Sequence, residues 1–108
     1  MSTFVFSYRA PSGYTPGSAD ARAAWTAWLE SMSANLKDLG NPVFERSTLG
    51  NCGTGTALAG YSLVTADDLE AAVALAEGCP FLQQGGGIEV GVIAELNPGT
   101  GSVGEDPA

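Results

Sequence analysis

The chain contains no histidine, and that absence removes more chemistry than any other feature of its composition. A serine–histidine–carboxylate triad is excluded, and so is a histidine base poised near neutral pH. A zinc site would have to rest on thiolates and carboxylates alone. Only two cysteines are present, Cys52 and Cys79. They lie far apart, at no metal-ligand spacing, so neither a metal nor another cofactor is expected. Cations are scarce as well: 4 Lys and Arg stand against 12 Asp and Glu, for a net charge of −8. Arg9, Arg22, Lys37 and Arg46 are scattered, so there is no basic stripe to displace counterions from nucleic acid or to meet anionic lipid. No apolar run reaches the roughly 18 residues that would suggest a membrane span. The opening MSTFVFSYRAPSG has neither the basic start nor the apolar length of a secretory signal. The expectation is a cytoplasmic protein with both thiols reduced.

What is present is apolar surface. Hydrophobic residues make up 44% of the 108 residues and charged residues only 15%. One domain of this length can build a core without staples, but so little charge leaves apolar surface that a second copy would cover. A homodimer is therefore expected.

TFVFSYR, residues 3–9, reads as a strand followed by the turn formers APSGYTPGS. From Ser18 to Leu39 the residues Trp25, Trp28, Leu29, Met32, Leu36 and Leu39 fall on one helical stripe. Ser18 suits the cap of that helix, and Gly40 and Pro42 its stop. PVFERSTL (42–49) reads as a short strand, GNCGTGT (50–56) as a turn and ALAGYSLVT (57–65) as a third strand. In TADDLEAAVALAEG the Thr65–Asp68 spacing resembles a capping box, with Leu69, Ala72, Val73 and Ala76 as the apolar stripe and Gly78 as the end. Residues 87–96 form a fourth strand, and the tail has nothing to bury.

The order β-α-β-β-α-β indicates an α+β ferredoxin-like domain over residues 1–97, followed by a flexible C-terminal tail over 98–108. Its four-stranded antiparallel sheet should run 4-1-3-2, with both helices on one face. The apolar strands 1 and 3 would be central. The charged strands 2 (Glu45, Arg46) and 4 (Glu89, Glu95) would form the edges. Two such sheets packed back to back would cover the face that the helices leave open.

FVFSYR, WTAWLE, LAGYSLVTADDLEAAVALAEG and PFLQQGGGIEV together resemble the YCII-related (DGPF) family over about residues 3–96. The resemblance implies a dimeric α/β barrel with a pocket in or beside it. It also implies, for the members discussed as enzymes, a His-Asp pair, a few of them acting on chlorinated aromatic compounds. This chain departs from that pattern. It has no histidine, no D-G-P-F, and EGCPFL where relatives carry EGHPFL, which puts Cys79 in the histidine's place.

Cys79 follows a helix C-terminus, whose negative dipole end opposes a thiolate, so it reads as a packing residue before Pro80. The glycines 85–87 precede a strand rather than a helix and lack the lysine of a phosphate-binding loop. Alternation on strands 1 and 4 puts Arg9 and Glu89 together on the barrel side. They read either as a catalytic pair, with Arg9 gripping an oxyanion and Glu89 accepting a proton, or as a cross-strand ion pair. Trp25, Trp28, Tyr8 and Tyr61 are candidates for core and dimer interface or for the wall of a ligand pocket. Two functions remain open. One is a homodimer binding a small organic ligand, with cofactor-independent proton transfer or elimination as its chemistry. The other is a non-catalytic interaction or regulatory module with a vestigial pocket.

Overall fold

Large apolar side chains alternate with smaller ones along STFVFSYRAP, and this segment is strand β1, Ser2–Pro11. The computed structural model describes residues 1–14 and 18–94. Helix α1, Ala19–Ser31, follows, with the Ser18 hydroxyl accepting from the Ala21 N–H at 3.1 Å. After a single 3₁₀ turn at Ser33–Asn35 come β2 (Leu36–Pro42), β3 (Thr56–Ala66) and α2 (Leu69–Ala76). A second 3₁₀ turn at Pro80–Gln83 leads into β4 (Gly87–Val92). The sheet order is β2-β3-β1-β4, antiparallel throughout. This is the expected α+β ferredoxin-like arrangement, with the two most apolar strands at its centre. Among the described residues no helix is long and apolar enough to cross a membrane.

Alternation decides which face is buried. Phe4, Phe6 and Tyr8 of β1 point to the helix side with Ser62 and Val64 of β3, all nearly inaccessible to solvent. Val5, Ser7 and Arg9 take the other face and are half-buried. Trp28 and Met32 at the end of α1, Ala72 and Ala76 of α2, and Cys79 and Phe81 complete the core. Trp28 is its hub. Its ring lies 6.2 Å from Phe6 and 5.8 Å from Tyr8, and its indole N–H donates to the Leu75 carbonyl at 3.0 Å. One helix is thereby tied to the other. Gly78 makes room for it, because a Cβ there would lie 2.7 Å from the indole ring.

The largest departure from the sequence reading lies between residues 32 and 49. The helix does not run to Leu39. It ends at Ser31, whose hydroxyl turns back to the Trp28 carbonyl, and Met32 leaves helical geometry at φ −117°. Asn35 then joins β3 by two bonds: its side chain donates to the Thr65 carbonyl and its own carbonyl accepts from the Thr65 hydroxyl. Leu36 and Leu39 belong to an edge strand that satisfies the outer backbone groups of β3. That long-range pairing overrides the helical spacing. Gly40 is not a helix stop but a distortion of that strand. Its φ is +80°, and a Cβ there would meet the Tyr61 carbonyl oxygen at 1.7 Å.

Residues 43–55 form a connection rather than a strand, so Glu45 and Arg46 do not guard the sheet edge. Exposed Lys37 and Asp38 stand on that edge instead. Two smaller corrections concern α2. Its cap is Asp68, which accepts from the Ala71 N–H at 2.8 Å, while Thr65 lies inside β3. In its stripe Leu69 and Val73 are 51% and 40% exposed, and only the alanines are buried. Glu95 and the tail 98–108 lie outside the described residues, as do 15–17 of the first turn.

Gly78→Ala should lower stability by about 1–3 kcal/mol, because the added methyl must displace Trp28 in a close-packed core. Gly87→Ala, where a Cβ meets open space, should stay within about 0.5 kcal/mol of the parent. Urea unfolding followed by tryptophan fluorescence measures both.

Candidate functional site

Beyond the core the end of β1 and the start of β3 diverge from α1 and leave a cavity of about 760 Å³, the size range of small-ligand sites. A bulge builds it: the β1–β3 register slips between Tyr8 and Arg9, so that Ala59 stands as the extra residue. This re-aims the strand end. Trp25 and Leu29 of α1 form one wall together with Phe81 and Tyr14. That wall is braced by edge-to-face contacts, with Trp25 4.9 Å from both Phe81 and Tyr8, and Tyr14 4.9 Å from Phe81. Leu39, Val43, Phe44 and Arg46 line the opposite side from β2 and the connection after it.

Polar groups enter this apolar space along one chain of hydrogen bonds. The Tyr8 hydroxyl donates to Ser62 Oγ at 2.7 Å, and the Ser62 hydroxyl donates to the Leu39 carbonyl at 2.6 Å. The chain crosses from β1 through β3 to β2 and leaves none of its buried atoms without a partner. Burial pushes the Tyr8 phenol up to about 12, against the smaller opposing effect of the Ser62 bond. Tyr8 is therefore a neutral phenol near neutral pH. Its one proton is committed to Ser62, so it can accept from a ligand hydroxyl but cannot act as a base.

The sequence-predicted residues separate. Tyr8, Trp25 and Tyr61 line the cavity; Trp28 does not, being fully engaged in the core. Tyr61 borders the cavity from β3, but, one residue before Ser62, it carries its side chain to the sheet face away from the helices, where its hydroxyl accepts from the Asn41 amide at 3.2 Å. Arg9 and Glu89 come together at a different place, a shallower cavity of about 680 Å³. They do not face each other directly: Arg9 is opposite Gly87, and Glu89 is opposite Ser7. Arg9 is engaged elsewhere. It donates to the Cys52 carbonyl at 3.0 Å and to the hydroxyl and carbonyl of Thr56 at 3.3 Å each, clamping the glycine-rich loop to β1. Arg9 is held by that clamp rather than by a direct ion pair to Glu89, and Glu89 is exposed.

Cys79 is 2% exposed and its thiol is raised above the ordinary range, chiefly by burial. It packs in the joint between α2 and the second 3₁₀ turn, with its N–H on the Ala76 carbonyl at 2.9 Å. Cys52 is exposed. No group of three or more Cys, Asp and Glu side chains suited to a metal ion gathers among the described residues. Sequence reasoning missed Tyr14, Leu29, Phe44, Arg46 and Phe81 as lining residues. For Phe44 and Arg46 the available signal is Pro42 at the start of PVFERSTL, which ends β2 and turns the chain into the connection.

The model of the YCII-related domain matches residues 1–97. Among solved structures, the chain is similar to 5-chloro-2-hydroxyhydroquinone dehydrochlorinase (TftG) from Burkholderia phenoliruptrix, determined in complex with 2,5-dihydroxybenzoquinone. The identity is 22% and the TM-score 0.56, with 87% of this chain and 95% of that chain covered. At that identity the likeness is one of fold. No curated protein sequence matches the chain.

A raised phenol has a defined consequence for stability. The folded state holds the Tyr8 proton more tightly than the unfolded chain does. The stabilisation is therefore complete below about pH 10, the ordinary tyrosine value, and is lost as pH rises towards about 12. Urea unfolding between pH 9 and pH 12 should show a decline in stability over this window that is shallower in Tyr8→Phe. Equal slopes in the two proteins would contradict the burial of this phenol.

Proposed function

The chain belongs to the YCII-related domain family, and from that premise we propose that it is a cytoplasmic homodimer that binds a small planar organic molecule beneath α1. The observation that carries this reading is the cavity itself: about 760 Å³, with Trp25 held edge-on by Tyr8 and Phe81 to form a fixed aromatic wall. A ring stacked on such a wall gains contact area at little cost in side-chain freedom. The hydroxyquinone bound by the dehydrochlorinase of similar fold is a ligand of that shape.

The dimer reading rests on the face of the sheet turned away from the helices. On the two central strands that face presents Thr3, Val5, Ser7, Tyr61 and Leu63, with no charge before Arg9. A second copy packed there would cover it and close the barrel. Light scattering on a sizing column should give twice the monomer mass at micromolar concentration, and a stable monomer would overturn the claim.

Binding without turnover is the reading that the lining favours, since the described residues around the cavity include no carboxylate. Proton transfer or elimination is the second reading, favoured by the shared placement of Arg9 and Glu89 at the smaller cavity. The test is titration of the full-length protein with 2,5-dihydroxybenzoquinone and with 4-hydroxybenzamide, followed by calorimetry. Saturable binding is expected, weakened about tenfold or more in Trp25→Ala and unchanged in Glu89→Gln. Absence of saturable binding to either compound at millimolar concentration would sink the cavity reading. Turnover of a chlorinated hydroxyhydroquinone that vanishes in Glu89→Gln would move the chemistry to the second cavity.

A further inference from the structure

Resting on the cavity reading, we infer that the molecule taken beneath α1 is an anion, a flat aromatic carboxylate or an ionised hydroxyquinone, whose charge is met by the Arg46 guanidinium. The distribution of charge carries the argument. The chain has 12 acidic residues and 4 basic ones, yet the described lining of the cavity includes one basic residue, Arg46, and no acidic one. Arg46 and its sequence neighbour Glu45 are both exposed, but only Arg46 borders the cavity. The cavity thus reverses the balance of the molecule around it.

Arg46 is also arranged to receive such a group. Its Nη1 donates to the Phe44 carbonyl at 3.1 Å, and no other protein acceptor takes its guanidinium among the described residues. A guanidinium presents paired donors that match the two oxygens of a carboxylate or the adjacent oxygens of a hydroxyquinone anion. Tyr8 keeps its proton and so offers no negative charge to a cationic ligand. A net charge of −8 supplies no general attraction for anions, so selectivity for one depends on this local cation.

The test compares two ligands of one shape and different charge, 4-hydroxybenzoate and 4-hydroxybenzamide, by calorimetry on the full-length protein. The carboxylate should bind about tenfold or more tightly than the amide. Arg46→Gln should abolish that preference and leave the amide constant within about twofold, and Arg46→Lys should restore it only in part because the paired donors are gone. A preference for the amide, or a preference for the carboxylate that survives Arg46→Gln, overturns this inference and leaves the cavity reading standing. Binding of neither compound overturns this inference, and absence of 2,5-dihydroxybenzoquinone binding as well overturns both.

Discussion

Everything in this domain hangs on where Trp28 goes. Its indole fills the space between the sheet and both helices, lying near Phe6 and Tyr8, and its N–H holds the Leu75 carbonyl. A ring of that size closes the core only if the turn after α2 comes very near, and Gly78 permits the approach. Once α1 is fixed through Trp28, Trp25 three residues earlier has its direction set as well. It is carried past the edge of the core onto Tyr8 and Phe81, where it becomes the wall of a cavity instead of part of the interior. One buried ring thus sets both stability and the shape of the site.

The cavity's chemistry follows from the same packing. Tyr8 is the last large residue of the buried row on β1, and Ser62 is the polar residue that row requires on β3. Together with the Leu39 carbonyl they form a satisfied chain that stiffens the floor of the cavity. Satisfaction has a chemical consequence. A phenol that is buried and already donating keeps its proton near neutral pH, so Tyr8 itself does not abstract one. The Arg9 clamp has a comparable effect on the opposite face, where a guanidinium that would suit an oxyanion is used to hold the glycine-rich loop.

The elements with strong local patterns were legible in the sequence. β1 and β3 show their alternation and their apolar bias, Ser18 announces the start of α1, and the run of alanines marks α2. The apolar bias of β1 and β3 marks them as the central pair, and Glu89 marks β4 as an edge, whereas the charges read for strand 2 fall in the connection after it. The segment from Met32 to Leu49 was misread because Leu36 and Leu39 fit a helical stripe as well as an edge strand. Only the bonds between Asn35 and Thr65, and the pairing of 36–42 with β3, select the strand. Displacing that strand by about six residues moved Phe44 and Arg46 from a sheet edge to a cavity wall.

By itself the sequence determined the class of the fold, the exclusion of histidine chemistry, the face on which each residue of β1 lies and the packing role of Cys79. Each of these depends on composition or on the period of neighbouring residues, which the backbone geometry of a strand or helix converts directly into direction. The tertiary structure decided where β2 runs, that Arg9 holds the Cys52 loop rather than Glu89, and that the larger cavity opens beneath α1. Those outcomes depend on contacts between residues some 20 to 50 positions apart, and no local spacing records which of several distant partners will complete a hydrogen bond or fill a core.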